Sequence, residues 1–378
     1  MDHWLEFNIH NRATMRVARN APTALLLRDM FAPFLTEGLG HYDLTITGEL
    51  EPLREPAHGE TEYDYTETAV QLNATSVQIL LEEGGFRLNG ARELLVSALP
   101  LIDRILVTRG VAMIHAATVD YRGYGVCMPA WGGTGKTSTI AKLLKIDGVA
   151  FMGDDWAFAA EDGRLLGYAK PMFIKPHHRP IYPHLFGKRH KPLVPSRLSR
   201  PIGRLTTLVH PMITRYPRLA RLTRQFSPEH MMVTPQAAFP HAAISTSAPL
   251  AIAVFVERHD GPRPVLRERS RSWMTSRMIG NFHAEITKQS QEVITALAAT
   301  GLTPIERYFG DKAAVLDRAL AQTPTFLLQV PQAYSPDQAS DVIVEHLHEA
   351  LAAAGIDVAH LSQKKTAHFH DEPTRRAG

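Results

Sequence analysis

Cysteine is almost missing from this sequence. Cys127 is the only one in 378 residues, which excludes an intramolecular disulfide framework and a zinc cluster built on thiolates. Long apolar runs are missing too. The longest mostly apolar stretch, Ala242 to Val256, is broken by Ser, Thr and Pro249. A spanning helix needs roughly 20 apolar residues, so no membrane-crossing segment is expected. The opening MDHWLEFNIHN has no cationic stretch followed by an apolar one, so no secretory signal is expected. These absences point to a soluble protein of a reducing compartment, the cytoplasm. Acidic residues are lacking from one long block: Gly163 to Pro228 holds fourteen Lys or Arg and no Asp or Glu. The net charge of the chain is only +3, so the remainder is acidic, and a single-sign block of this length bears on partners.

What is present is ordinary globular material, 44% hydrophobic and 21% charged, enough for a sizeable core. The expected class is α/β with a mixed sheet, in three parts: a small α+β domain over residues 1–92, a second domain over 93–335 with the basic insert 163–228, and a C-terminal helix and tail over 336–378. The spacing predicts a helix at Thr23–Leu35, ended by Pro33, and another at Glu93–Arg109 bent at Pro100. Strands are expected at Tyr42–Thr47, Ala69–Leu72, Ser76–Leu81 and Phe86–Leu88, with an exposed acidic loop at Glu49–Glu67. Further strands are expected at Val111–Val119, Gly125–Met128, Val149–Met152, Leu250–Glu257 and Thr325–Val330. Helices are expected at Thr134–Lys145, Ala284–Ala299 and Ser340–Ala354.

Between an apolar strand and a helix, residues 130–137 read AWGGTGKT. This is the phosphate-loop pattern G-x-x-x-x-G-K-[ST] with Ala130 in the first position. Gly132, Gly133 and Gly135 let the backbone curl so that its N–H groups converge on phosphate oxygens. The helix entered through Thr134, Lys136, Thr137 and Ser138 adds its positive end. Lys136 supplies a charge to the β- and γ-phosphates, and Thr137 offers a hydroxyl to Mg²⁺. Trp131 packs on the nucleotide, shields the loop or joins the core. Downstream, Asp154 and Asp155 follow a strand, where ligands of α/β proteins gather. One carboxylate there can serve a metal while the other accepts a proton. His115, in the strand before the loop, is either a core residue or the partner of a catalytic carboxylate.

The run from Ile114-His115 through the Gly-containing turn at 121–124 to Lys136-Thr137, with Gly153-Asp154-Asp155 after it, resembles HPr kinase/phosphorylase and its kin, which share the phosphoenolpyruvate carboxykinase-like nucleotide-binding fold. The close resemblance covers about forty residues, and a looser one to HPr-kinase-related proteins runs from about Ala91 to Val330. It implies ATP and Mg²⁺ held by Lys136, Thr137 and Asp155, with Asp154 as general base for a hydroxyl and His115 orienting it. The first Gly, an internal Ser and a downstream Glu-containing signature of that family are lacking, so phosphorylase activity and HPr as acceptor do not follow. The activity implied is a kinase acting on a serine of a protein or peptide, or on a small anion. A carboxykinase-like enzyme shares the fold.

Arg197, Arg200 and Arg204, and then Arg215, Arg218, Arg221 and Arg224, recur three or four residues apart within each set. They either grip an anionic acceptor or form a solvated face balancing the acidic remainder. The alternative function they open is a nucleotide-gated protein docking a polyanion; nucleic acid is the weaker partner, since aromatic interleaving is thin. His177, His178, His184, His190 and His210 match no metal-ligand spacing. Cys127 reads as a small buried hydrophobe, and the Asn73-Ala74-Thr75 sequon as accidental. Homo-oligomers are common among the relatives named.

Overall fold

Alternating apolar residues open the chain: Leu5, Phe7 and Ile9, then Ala13, Met15 and Val17, all buried, with their neighbours half-exposed. This two-residue period makes strands β1 (Trp4–Ile9) and β2 (Ala13–Ala18), paired antiparallel. The computed structural model describes residues 3–55, 57–58, 62–90, 93–174, 179, 181–186 and 231–356. After β2 come helix α1 (Ala24–Met30), a 3₁₀ turn through Pro33, and strands β3 (Leu35–Thr36) and β4 (Leu44–Thr47). The expected acidic loop carries two short strands, β5 (Ala57–His58) and β6 (Tyr63–Tyr65), which continue the sheet through β7 (Ala69–Leu72), β8 (Val77–Glu82) and β9 (Gly85–Gly90). These nine strands form one mixed sheet in the order β3-β1-β2-β4-β9-β8-β7-β6-β5.

Helix α2 (Leu94–Val107) contains Pro100 and leads into β10 (Val111–Tyr121). Nearly every residue of β10 is buried, because both of its faces are covered. Val111 and Met113 join one core, while Ala112, Ile114 and Ala116 join another. The first core also holds Phe7, Ile46, Leu101 and Val293. The separate N-terminal domain expected for residues 1–92 is therefore not a separate body: its sheet shares one continuous core with α2 and β10. The compact unit runs over Met1–Lys170 with Ala242–Gly378, and the second comprises Pro171–His241.

The larger unit continues with β11 (Tyr124–Pro129), α3 (Lys136–Leu143), β12 (Val149–Gly153), β13 (Trp156–Ala160) and β14 (Arg164–Leu166). In the second unit, β15 (Met172–Ile174) pairs antiparallel with β16 (Met231–Val233), followed by helix α4 (Pro235–Ala238). The arginines expected to face an anionic acceptor, Arg197 to Arg224, lie outside the described residues, as do His177, His178, His190 and His210. His184 is described, and its Nε2 lies 2.9 Å from the carbonyl of Ala237. Back in the larger unit are β17 (Ser247–His259), β18 (Val265–Glu268), α5 (Arg271–Glu285), α6 (Lys288–Ala299), α7 (Ile305–Ala319), β19 (Thr325–Pro331) and α8 (Pro336–Ala353). The single helix expected at Ala284–Ala299 is the end of α5 and the whole of α6, separated by extended backbone at Ile286 and an N-cap at Thr287.

The second sheet has eight strands. Its pairings β10–β13, β13–β14, β14–β17, β17–β11 and β11–β10 close on themselves. β17 runs parallel to both β11 and β19. Helix α3 leaves from the carboxyl end of β11 and is braced by α8, where Lys142 Nζ meets Asp341 at 2.6 Å and Asp337 at 2.8 Å.

Candidate functional site

The loop expected to bind phosphate stands between β11 and α3. Ala130 still bridges Val256 of β17, and the chain then curls. Gly133 (φ +78°) and Gly135 (φ +108°) take left-handed backbone, which strains any residue bearing a Cβ. Gly135 is the N-cap of α3 and supplies no side-chain acceptor, so the first N–H groups of the helix are left to other partners. Thr134 is buried and its hydroxyl donates to the carbonyl of Trp131 (3.0 Å). Thr137 and Ser138 are half-buried in the first turn. Lys136 folds back over the loop and donates to the carbonyls of Ala130 (2.6 Å) and Trp131 (3.2 Å). Burial lowers its pKa against the opposing pull of Asp155, Glu285 and Asp154. At the far end of the loop, Gly132 N–H donates to Glu285 Oε1 at 2.7 Å. A carboxylate thus already sits on one loop amide. Trp131 rests edge-on against Phe255 rather than standing free, with the Arg277 guanidinium above both rings.

β12 delivers Asp154 and Asp155 opposite the loop. Gly153 before them has no room for a Cβ, which would lie 2.6 Å from the Trp156 carbonyl. The hydroxyl of Thr137 donates to Asp154, 3.2 Å from Oδ1 and 3.0 Å from Oδ2. The reading that joined Thr137 with Asp155 is thus corrected: the buried side chain of Asp154 points at the helix, while Asp155, 40% exposed, points to Lys170 Nζ at 3.2 Å. Burial, and then the neighbouring Asp155 charge, push Asp154 up to about 7. Burial raises Asp155 as well, but Lys170, His115 and Lys136 outweigh it and hold that carboxyl below its ordinary value.

His115 faces Trp156 across the β10–β13 ladder, its ring edge-on at 5.3 Å between centroids. Its main-chain carbonyl accepts from Asn281 Nδ2 (2.8 Å). Burial and the Lys136 charge pull the imidazole down to about 4, against Glu285, Asp155 and Asn281. The ring is neutral at pH 7. The hydrogen bond expected from it to a carboxylate is not made; among the described residues Nδ1 has no partner, and neither does the buried Oδ1 of Asn281.

Sequence reasoning missed Lys170, Asn281 and Glu285. Lys170 stands within the basic block with no spacing that marks it, and α5 brings the other two from more than a hundred residues beyond the loop. Cys127 is wholly buried in β11, and burial pushes its thiol up to about 12. No protein-family model matches the chain, and no curated protein matches it. Among the described residues no helix is long and apolar enough to cross a membrane, and no three His, Cys, Asp or Glu are grouped to hold a metal. The oxygens that the site could offer a cation are those of Asp154, Asp155 and the Thr137 hydroxyl. The loop fits an anion: its Gly132 N–H already donates to a carboxylate oxygen, Oε1 of Glu285.

Proposed function

We propose that the chain is an ATP- and Mg²⁺-dependent kinase that phosphorylates a hydroxyl, on a protein, a peptide or a small anion, within a P-loop HPr kinase-like fold. One observation carries this reading: the Thr137 hydroxyl hydrogen-bonded to Asp154, beside Lys136 and across from Asp155, on a loop whose other end donates an N–H to a carboxylate. Lys136 and the loop N–H groups hold the triphosphate. Thr137 and Asp154 would hold the cation, since the Thr137 hydroxyl donates a hydrogen bond to Asp154 and its oxygen keeps lone pairs for a metal. A buried acid raised to about 7 is a costly negative charge that a cation relieves. Bound Mg²⁺ supplies neutralisation of the charge that develops on the transferred phosphoryl group.

This exchanges the roles implied by the resemblance. Asp155, the more accessible carboxylate, takes the proton of the acceptor hydroxyl as its oxygen bonds to the γ-phosphorus and the bond from that phosphorus to ADP breaks. Lys170 holds Asp155 in place. His115, its ring neutral at pH 7, sits beside the carboxylates.

The test separates binding from transfer. Asp155→Asn is expected to keep the affinity for a non-hydrolysable ATP analogue within about threefold and to lower phosphotransfer about 10²–10⁴-fold. Transfer is read by mass spectrometry as phosphorylated products in cells producing the wild type but not the variant. Full transfer by Asp155→Asn, with loss in Asp154→Asn, restores the original assignment. No product with the wild type removes the kinase reading.

A further inference from the structure

Glu285 ends α5, the negative end of a fifteen-residue helix. A carboxylate is unfavourable there, and the basic residue of the last turn is His283, whose pKa burial lowers. Its compensation comes from the loop: the Gly132 N–H on Oε1, and the Lys136 ammonium, whose charge it feels. A local rule broken in this way marks a position kept for something other than helix stability.

The end of the loop that Glu285 occupies can be identified. The helix end of such a loop takes the inner phosphates, and the lysine reaches the outer ones. Lys136 Nζ lies against the carbonyls of Ala130 and Trp131, at the Gly132 end. A terminal phosphate reaching that ammonium meets the Glu285 carboxylate and competes with it for the same N–H. Resting on the nucleotide-binding reading, we infer that Glu285 is a specificity-determining residue that sets how strongly the loop holds the γ-phosphate, weakening triphosphate binding relative to diphosphate. Release of Glu285 accompanies entry of the third phosphate. The residue follows Phe282 and Asn281 on the same helix and precedes the extended break at Ile286.

The experiment is calorimetric titration of the full chain with ADP and with the β,γ-imido analogue of ATP, in EDTA and in Mg²⁺. Wild type, Glu285→Gln and Glu285→Ala are compared, with circular dichroism verifying that each is folded. In EDTA, where no cation can bridge, both variants are expected to bind the triphosphate analogue about tenfold more tightly than wild type, with ADP changed less than about twofold. Unchanged or weaker triphosphate binding in the variants overturns the inference while leaving nucleotide binding intact, as does equal tightening for both nucleotides. Wild type that binds neither nucleotide in either buffer overturns the underlying reading and the inference with it.

Discussion

Asp154 shows how one side chain can carry a conflict between folding and chemistry. It is buried, adjacent to a second carboxylate, and eased only partly by Thr137, Lys170 and Lys136. Its folded pKa of about 7 exceeds the ordinary value of 3.8, so the folded state holds a proton that the unfolded chain has already lost. Its contribution to stability is present below about pH 4 and is lost as pH rises towards 7. Asp154→Asn, which keeps an acceptor for Thr137, is therefore expected to be more stable than the wild type above pH 7 in metal-free buffer, by on the order of 1 kcal/mol or more. The gap should close as pH falls to 4, as read by urea midpoints across that range. A gap that widens on acidification contradicts the burial argument. His115 titrates in the opposite sense, rising in stability contribution from about pH 4 to its ordinary 6.5, but it is common to both proteins and cancels in the comparison. The loop and the Asp154-Asp155 pair were legible in the sequence because they are contiguous and stand where a strand gives way to a turn. Which aspartate meets Thr137 was not legible, because adjacent residues leave a strand in opposite directions and only the register of β12 on β10 decides between them.

At the scale of elements, α5 matters most to the site, since it delivers Asn281 and Glu285. Its position is fixed by a buried ion pair. Lys312 of α7 donates to Asp103 of α2 at 2.8 Å and stands 3.1 Å above the ring of Phe282 in α5. Lys312 and Asp103 are essentially inaccessible, and Asp103 also accepts from the Met113 N–H and Tyr308 hydroxyl. Removing one partner strands a charge in the core. Lys312→Met or Asp103→Ala alone is expected to cost about 3–5 kcal/mol, and the double variant less than the sum of the two. Denaturant unfolding of the three variants checks this, and strict additivity contradicts it. None of this was readable beforehand, since the partners lie some two hundred residues apart with no spacing to link them. β1 and β2 were readable, their alternation being plain, yet no strand was expected there. β5 and β6 are two and three residues long, too short for periodicity to show. The strands that lead into the loop and the aspartates were legible because they are buried on both faces and so nearly unbroken in apolar residues.

At the scale of the whole molecule, residues 171–241 interrupt the larger unit. The chain leaves beside the place where it returns, for the Gly167 N–H donates to the carbonyl of Thr246. The basic block falls mostly within that insertion, while the loop, both aspartates, Lys170 and Glu285 belong to the unit it interrupts. The expected boundary near residue 92 failed because a sheet with one apolar face needs a cover, and α2, together with the helices packed on it, provides one that the sequence order had assigned elsewhere. Everything proposed about function rests on the larger unit taking up a nucleotide. The most direct measurement is calorimetric titration of the full chain with the β,γ-imido analogue of ATP in Mg²⁺, beside Lys136→Ala. Saturable one-to-one binding by the wild type, weakened at least about tenfold in Lys136→Ala, is the expected result. No heat of binding with the wild type, or equal affinity in both proteins, contradicts the account.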